Sequence, residues 1–350
     1  MVLCVPSAAA GSTPAVTITA DQDPDLTARI VKRVPLTYRE EGDAIVDRPA
    51  YVRSASALTW FKDHLAVIQN DANWLALIDT DDTVHAIPLP PDAHGHRVFD
   101  AGRGNLARKT DLAACITVPG AGGLDLVGFG SGQRRGHEWV LRVHEGKPWS
   151  QNSHRHTHDI TGLQISSEFL DASGFYESLR NTPSFAGAGL NIQGAITVGD
   201  GDTIILFNRG DAAPDGDRAP VDAMASVSWY QLAKHLADPD NVPPPPLANI
   251  QPFDLGSYDG ARLTFSDAAF MEGPILYAAT ARNAETGETA GAALGVIEPD
   301  STTRWALVKD EAGRPFRGRI EGLAHHPTRP RRIHFVIDDG DERVPAEIFE

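Results

Sequence analysis

The sequence predicts an all-β protein of the β-propeller class. One pattern recurs five times: a polar residue, two small or apolar residues, a short turn, and an apolar run that ends in polar residues. Each copy is followed by further short β-rich runs bounded by Gly, Pro, Asp and Asn. About four short strands per repeat, separated by turns, are typical of a propeller blade. The copies are centred at Leu58, Cys115, Ala195, Ala269 and Leu323.

Four antiparallel strands are predicted in each of the first four repeats. The recurring pattern supplies the first two strands, and two later apolar runs supply the others. In chain order these later runs cover residues 74–78 and 84–89, 138–144 and 156–160, 225–230 and 250–255, and 292–297 and 304–308.

The last repeat has only three predicted strands, which would leave an unpaired sheet edge. Residues 27–34 form a predicted strand that belongs to no repeat. We therefore expect this N-terminal strand to pair with the C-terminal blade and close the ring. The prediction is one domain over residues 1–350, with residues 1–20 flexible and five blades, or six if residues 13–50 contain further strands.

Helices are predicted only as insertions. Residues 166–181 carry Phe169, Leu170, Phe175, Tyr176 and Leu179 at helical spacing, which predicts one amphipathic helix lying on the ring. A shorter helix is predicted over residues 231–237. The proline run at 243–246 cannot join a sheet ladder and predicts a stiff connection, the alternative being a proline-rich ligand for a partner domain.

Composition narrows the function classes. The formal net charge of −16 argues against nucleic-acid binding, because neutralising phosphates requires excess Lys and Arg. Only Cys4 and Cys115 occur, so a disulfide framework is not expected and we predict a cytoplasmic protein. The first ten residues make a poor signal peptide, and no apolar run approaches the roughly 20 residues that span a bilayer. Small molecules are the expected partners, with no membrane association.

Several fragments resemble a known family. They are KTDL at 109–112, NIQG and ILFNRG between 191 and 210, FSDAA at 265–269, and IEGLA with IDDGDERVPAEIFE from 320 to 350. These fragments resemble an uncharacterised family of bacterial β-propeller proteins. That family is similar to the esterase-like phytase propellers and, more remotely, to the calcium-dependent lactonase and paraoxonase propellers. The resemblance implies a propeller fold and, at Ala113 and Gln193, positions where the family pattern has Glu.

Equivalent positions of the repeat predict a ring of polar side chains around the central channel. In a propeller the first strand of each blade lines this channel. Carboxylate and amide oxygens are ligands for Ca²⁺, whereas crowded carboxylates can act as general acid and base. We keep three interpretations: a calcium site, a catalytic site, and a polar lining without a specific role. The ring comprises Ser56, Ala113, Gln193, Asp267 and Glu321, with Asp111 and Asn191 two residues upstream.

A second set of polar residues follows the second strand of each repeat. Arg side chains suit carboxylate or phosphate binding, so an anionic substrate is one interpretation. Structural ion pairs between blades are the other. The set comprises Asn70, Asp71, Ser131, Asn208, Arg209, Arg282, Asp338 and Asp339, together with Lys109 near the start of the second repeat.

A His-rich segment provides a third candidate site. His154, His156 and His158 alternate along a predicted strand and share one face, where imidazoles could bind zinc. A solvated outer strand is the alternative. The order of the following Asp159 differs from the His-x-His-x-Asp-His signature of metallo-β-lactamase-like hydrolases, so that fold is not expected.

Two functions remain open from the sequence. The first is a small-molecule enzyme, either a hydrolase of an ester, lactone or phosphoester or a lyase or isomerase. Glu321, Asp267 and Asp111 would be its metal ligands or acid–base groups. The second is a non-catalytic propeller that binds a ligand or a protein on one face. An enzyme requires the polar ring to converge on an open cavity, whereas a binding module can fill the channel and expose an apolar or aromatic rim.

Overall fold

A computed structural model describes residues 16–145, 156–160, 163–211, 213, 217–283, 286–329, 331–338 and 343–350. Within these residues the strands form five sheets, which are antiparallel apart from three short N-terminal strands. The chain therefore has the predicted all-β, β-propeller-like arrangement. Among the described residues no helix is long and apolar enough to cross a membrane.

The strands follow the predicted repeats closely. In chain order, β1–β4 are Ile18–Thr19, Asp21–Gln22, Ala28–Arg29 and Arg33–Pro35, and sheet 1 contains β5–β8, at Ala55–Phe61, His64–Gln69, Trp74–Ile78 and Val84–Pro88. Sheet 2 contains β9–β13, at Leu112–Gly120, Gly123–Gly130, Trp139–Glu145, His156–Ile160 and Leu163–Asp171. Sheet 3 contains β14–β17, at Ile192–Val198, Thr203–Asn208, Asp222–Ser228 and Ala248–Asp254. Sheet 4 contains β18–β22, at Ser257–Tyr258, Ala261–Phe270, Ile275–Arg282, Thr289–Ile297 and Thr303–Lys309, and sheet 5 contains β23–β25, at Ile320–His325, Ile333–Ile337 and Glu347–Phe349.

One long strand of each sheet lies at the centre of the molecule. These inner strands are β5, β9, β14, β19 and β23, and each contacts the inner strands of the sheets on both sides. The contact between β23 and β5 brings the last sheet against the first. The inner strands therefore surround one central channel.

The apolar core lies between the faces of neighbouring sheets. Between sheets 3 and 4, Phe265 packs edge-on against Phe207 and Phe253, with ring centroids 5.2 and 5.4 Å away. Tyr277 packs against Phe265 from the next strand, at 5.5 Å. Both faces of each inner strand are buried, because a sheet lies on either side of it, and this explains the nearly continuous apolar runs in the sequence.

The N-terminal strands pair with three different sheets. Strand β1 adds to β17, strands β2 and β3 add to β22, and β4 pairs with β25. The predicted single strand over residues 27–34 is therefore wrong in extent, because the chain passes from sheet 4 to sheet 5 at Ile30. Short pairings with successive sheets require a bend that one continuous strand does not permit.

The helical insertion is shorter than predicted. Residues 166–171 belong to strand β13, which pairs with β11, and helix α1 covers Ser173–Arg180. Adjacent Phe169 and Leu170 fitted a helical period, but the ladder with β11 determines their conformation. Phe175, Tyr176 and Leu179 of α1 pack into the core beside sheets 2 and 3, as their spacing predicted. A short helix α2 follows at Pro183–Ala186, the predicted second helix is α3 at Trp229–Ala237, and Leu106–Arg108 form a 3₁₀ turn.

Candidate functional site

A β-bulge occurs at the same place in all five inner strands. In sheet 5, Ile320 pairs with Ile337 and Gly322 pairs with Val336, so Glu321 between them has no partner in the ladder. A bulge inserts one extra residue and turns its side chain out of the regular alternation. The five bulged residues are Ser56, Ala113, Gln193, Ser266 and Glu321.

The predicted ring is therefore wrong at one member. In sheet 4 the bulged residue is Ser266, and Asp267 pairs with Ala278. Asp267 is instead equivalent to Gly322 in sheet 5 and to Gly194 in sheet 3. The repeat pattern, with Ala269 taken as equivalent to Leu323, aligned Asp267 with Glu321, whereas backbone pairing sets the actual strand register.

Asp267 occupies a position where the other inner strands carry only Gly or Ala. A Cβ atom at Gly322 would lie 2.9 Å from the backbone of Ala57, and one at Gly194 would lie 3.2 Å from the backbone of Asp267. Neighbouring inner strands therefore approach closely there. In sheet 4, the buried Asp267 carboxylate accepts hydrogen bonds from the N–H groups of Ala268 (2.8 Å) and Leu323 (2.6 Å), so it links sheets 4 and 5.

The surroundings of the Asp267 carboxyl favour its protonated form. Burial raises its pKa well above the usual value, and the nearby charge of Glu321 adds to the rise. The two backbone donors and Arg209 oppose it without cancelling it. The pKa of the buried Cys115 thiol is also raised, by burial and by Asp267. Both groups therefore favour their neutral forms.

Glu321 lies between two arginines. Its carboxylate is 3.1 Å from Nη2 of Arg209 and 2.7 Å from Nε of Arg319. Arg209 also donates through Nε to the carbonyl of Phe265, 2.8 Å away, and Arg319 contacts Asp338. The charge of Glu321 is the main cause of the raised pKa of Arg319, which keeps this guanidinium charged. The cluster joins sheets 3, 4 and 5, as expected for structural ion pairs between blades.

The carboxylate of Asp111 contacts side chains from loops of its own sheet. The backbone of Asp111 is left-handed, with φ of 53°, so the alternation of a regular strand does not set the direction of its side chain. Its carboxylate lies 2.5 Å from Nζ of Lys109 and 2.9 Å from Nδ1 of His137, and it accepts a hydrogen bond from Ser131. Burial opposes ionisation, but His137 and Lys109 hold the pKa of Asp111 well below its usual range.

Two further predicted residues form an amide chain. Gln193 donates to Asn191 at 2.8 Å, and Asn191 donates to Asp211 at 3.0 Å. The negative charge of Asp211 in turn contributes to the raised pKa of Arg319. The sequence prediction of neighbouring Asn191 and Gln193 side chains agrees with this geometry.

The remaining predicted residues are dispersed. Asp71 pairs with Arg53 at 2.9 Å, and burial raises the pKa of Asp71 despite this partner. Asn70 accepts a long hydrogen bond from Lys109, at 3.4 Å. Arg282 is exposed and donates to the carbonyl of Gly287. His154, Asp339 and the side chains of His156 and His158 lie outside the described residues.

The acidic groups as arranged do not fit a calcium ion. Ca²⁺ takes six to eight oxygen ligands around one point. Here Glu321 contacts two arginines, Asp111 contacts Lys109 and His137, and Asp267 accepts backbone donors. Among the described residues, no group of three or more His, Cys, Asp or Glu side chains could hold a metal ion.

A large cavity opens at the other end of the channel, beyond the bulges. This cavity, which we call the funnel, has a volume of about 710 Å³ and is lined by all five inner strands. Its inner layer consists of the residues two positions after each bulge: Leu58, Cys115, Ala195, Ala268 and Leu323. The residues four positions after each bulge form its wider outer layer: Trp60, Thr117, Thr197, Phe270 and His325.

Some residues that contact the predicted site residues were not predicted from the sequence. Arg53 and Arg319 were missed, although each precedes the inner strand of its repeat, as Lys109 does. A cation before the inner strand in three repeats was the available signal. Asp211 and His137 come from loops that the repeat does not cover, so no periodic signal identified them.

The inner strands surround a channel, and each has a bulge near the end where the polar residues lie. This arrangement places the protein in the β-propeller-like class. Its sequence belongs to a family of unknown function (DUF6929), whose model matches residues 51–350. No curated protein matches the sequence.

Solved structures are similar to the chain only at a low level. A streptogramin B lyase is 10% identical with a TM-score of 0.37, covering 91% of this chain and 97% of that chain. A gluconolactonase from Xanthomonas campestris is 12% identical with a TM-score of 0.37, covering 93% and 98%. The Cps50 (Swd1) β-propeller domain from Myceliophteria thermophila is 14% identical with a TM-score of 0.29, covering 83% and 68%. Similarity at this level carries no information about a reaction.

Proposed function

We propose that this chain is a five-bladed propeller that binds a small molecule in its funnel. The observation that carries the proposal is the contrast between the two ends of the channel. Buried ion pairs fill the polar end around Glu321, whereas the apolar end opens into a cavity of about 710 Å³. Small-molecule sites are typically concave, largely apolar and about 300–1,000 Å³ in volume.

The blade count and ring closure belong to the same proposal. Five inner strands with equivalent bulges support five blades, and the contact of β23 with β5 supports a closed ring. Pairing of β4 with β25 supplies the fourth strand that the last repeat lacks.

The funnel favours an uncharged amphipathic ligand. Its inner layer is apolar, so it accepts hydrocarbon without desolvating a charge. Its outer layer adds the hydroxyls of Thr117 and Thr197, the imidazole of His325, and the rings of Trp60 and Phe270. Arg209 and Glu321, once candidates for substrate binding and catalysis, instead neutralise each other at the polar end.

The experiment uses medium-chain alcohols, methyl esters and lactones as probes. Thermal shift and calorimetry are applied to the wild-type protein and to Thr117→Trp, which fills the funnel mouth from a half-buried position. We expect saturable binding to wild type, with a stabilisation of about 2.7 kcal/mol at a hundredfold excess over Kd, and its loss in the variant. Equal binding to both proteins, or no binding to wild type by any probe, would refute the funnel as the site.

A second candidate function is an enzyme acting on an ester or lactone. The observation that favours it is Asp267, a buried acid with a raised pKa whose carboxylate binds the N–H groups of Ala268 and Leu323. Those two residues line the inner layer of the funnel, and under this candidate Asp267, one residue away, would supply a proton to a ligand there.

Product formation from the same esters and lactones tests this candidate. Turnover that disappears in Asp267→Asn, with ligand binding retained, would support an acid role. Turnover that is unchanged in Asp267→Asn would eliminate it. Glu321→Gln provides the matched comparison, and here we expect turnover to persist because Glu321 is held by two arginines.

A further inference from the structure

A second cavity lies beside the funnel, between sheets 1 and 5. This cavity, which we call the side pocket, has a volume of about 340 Å³. Its apolar floor includes Leu65, Ile78 and Ile348, all buried. Trp60 and Thr328 line both the side pocket and the funnel, so the two cavities adjoin. The proposed role of the funnel leaves the side pocket unexplained.

Three aromatic rings form one wall of the side pocket. The ring of Trp60 lies 5.8 Å from that of His326 and 5.9 Å from that of His334, at steep interplanar angles. The Trp60 indole is fixed by a 2.8 Å hydrogen bond from Nε1 to the carbonyl of His325. The buried Nε2 atom of His334 has no hydrogen-bond partner among the residues that the structure describes. Burial lowers the pKa of His334, which favours a neutral ring.

The rim of the side pocket carries more acid than base. Its acidic residues are Asp79, Asp82 and Glu350, and its basic residues are Lys32 and Arg329. Lys32 and Asp82 form a 2.6 Å ion pair and offset each other, and Glu350 pairs with Arg332 at 3.3 Å, so Asp79 is the acid that faces a ligand. Asp79 contacts the imidazoles of His64 and His85, each at 3.0 Å. The net charge of −16 on the whole chain strengthens the negative potential at this rim.

We propose that the side pocket binds an organic ammonium ion that carries an apolar group. The apolar group would lie on Leu65, Ile78 and Ile348, and the ammonium would lie between the aromatic wall and Asp79. Aromatic faces attract cations, and a nearby carboxylate adds direct charge attraction in a partly desolvated site. A carboxylate or phosphate ligand would be repelled by the charge of Asp79.

Calorimetry with three probes of equal chain length tests the proposal, and it is applied to Thr117→Trp so that the filled funnel does not contribute. The probes are hexylammonium, hexanol and hexanoate, which share the apolar group and differ in charge. We expect hexylammonium to bind, hexanol to bind about tenfold more weakly, and hexanoate not to bind measurably. If hexanol bound as tightly as hexylammonium, the role of charge would be refuted. If hexanoate bound more tightly than hexylammonium, the assigned ligand class would be wrong. If none of the three bound, the site itself would be refuted.

Variants locate the binding. Asp79→Asn should weaken hexylammonium binding about fivefold, whereas the exposed Asp25→Asn makes the same charge change elsewhere and should not alter it. Trp60→Leu should weaken binding about fivefold, and Trp60→Phe should retain most of it because an aromatic face remains. Unchanged binding in both Asp79→Asn and Trp60→Leu would refute the site. Loss of hexylammonium binding in Phe270→Ala, which lines only the funnel, would move the site to the funnel and also refute the proposal.

Discussion

Replacing Arg209 by Met distinguishes a structural ion pair from an anion-binding residue. Arg209 is buried, donates to the carbonyl of Phe265 at 2.8 Å, and lies 3.1 Å from Glu321. The substitution leaves a buried carbonyl without its donor, at a cost of about 1–3 kcal/mol. Glu321 retains Arg319, so the larger cost of an entirely unpaired buried charge does not arise.

We expect a total destabilisation of about 3 kcal/mol for Arg209→Met. The entropy of unfolding of a chain of this length is about 0.7 kcal/mol/K, so the melting temperature should fall by about 4 °C. Scanning calorimetry or thermal circular dichroism measures this shift. The double variant Arg209→Met/Glu321→Gln should show a coupling free energy of about 0.5–3 kcal/mol, since the two side chains are in contact.

Arg282→Met is the matched control, because Arg282 is exposed and donates only to a loop carbonyl among its described contacts. Its effect on the free energy of unfolding should remain within about 0.5 kcal/mol. An unchanged melting temperature in Arg209→Met, or equal shifts in the two variants, would refute the assignment of Arg209 to an ion pair that holds the sheets together.

Three further predictions concern stability. Burial raises the pKa of Asp222 to about 6, so the folded chain retains a proton that the unfolded chain releases near pH 4. The free energy of unfolding should therefore fall by roughly 3 kcal/mol as pH rises from about 4 to about 6. Asp222→Asn should remove that decline in chemical denaturation curves, and an unchanged slope would contradict it. Gly322→Ala places a Cβ 2.6 Å from Val336 and should lower the free energy of unfolding by about 1–3 kcal/mol. Gly194→Ala, with nearest contacts of 3.1–3.2 Å, should lower it less. The reverse order in denaturant midpoints would contradict the close approach of the inner strands. Deleting residues 16–35 removes β1–β4 and exposes the edges of β17, β22 and β25. The melting temperature should fall, and aggregation measured by light scattering should rise. A variant as stable and monodisperse as the full chain would show that these pairings are dispensable.

The repeat could be predicted because its cause is local. Each inner strand is apolar on both faces, and Gly, Asp and Asn mark the turns, so five copies could be aligned without a structure. The short helix α3 and the apolar positions of α1 were also predictable from spacing alone. The N-terminal segment was assigned correctly as β-rich, but its division among three sheets depends on distant partners.

The site shows the limits of periodicity. The sequence placed Glu321, Gln193 and Asn191 together with other polar groups near the channel, and these residues do lie at the bulged ends of inner strands. It misplaced Asp267 by one position, because a bulge shifts the register without leaving a compositional mark. It could not show that Arg209 reaches Glu321, since these two residues come from different sheets.

The sequence by itself determined the β-propeller-like class, the inner strands and the acidic character of the protein, because these follow from local pattern and composition. Only the tertiary structure decided that the polar end of the channel is filled by ion pairs while the apolar end is open. The physical reason is that pairing between charges depends on distances across sheets, which the order of residues along one strand does not specify.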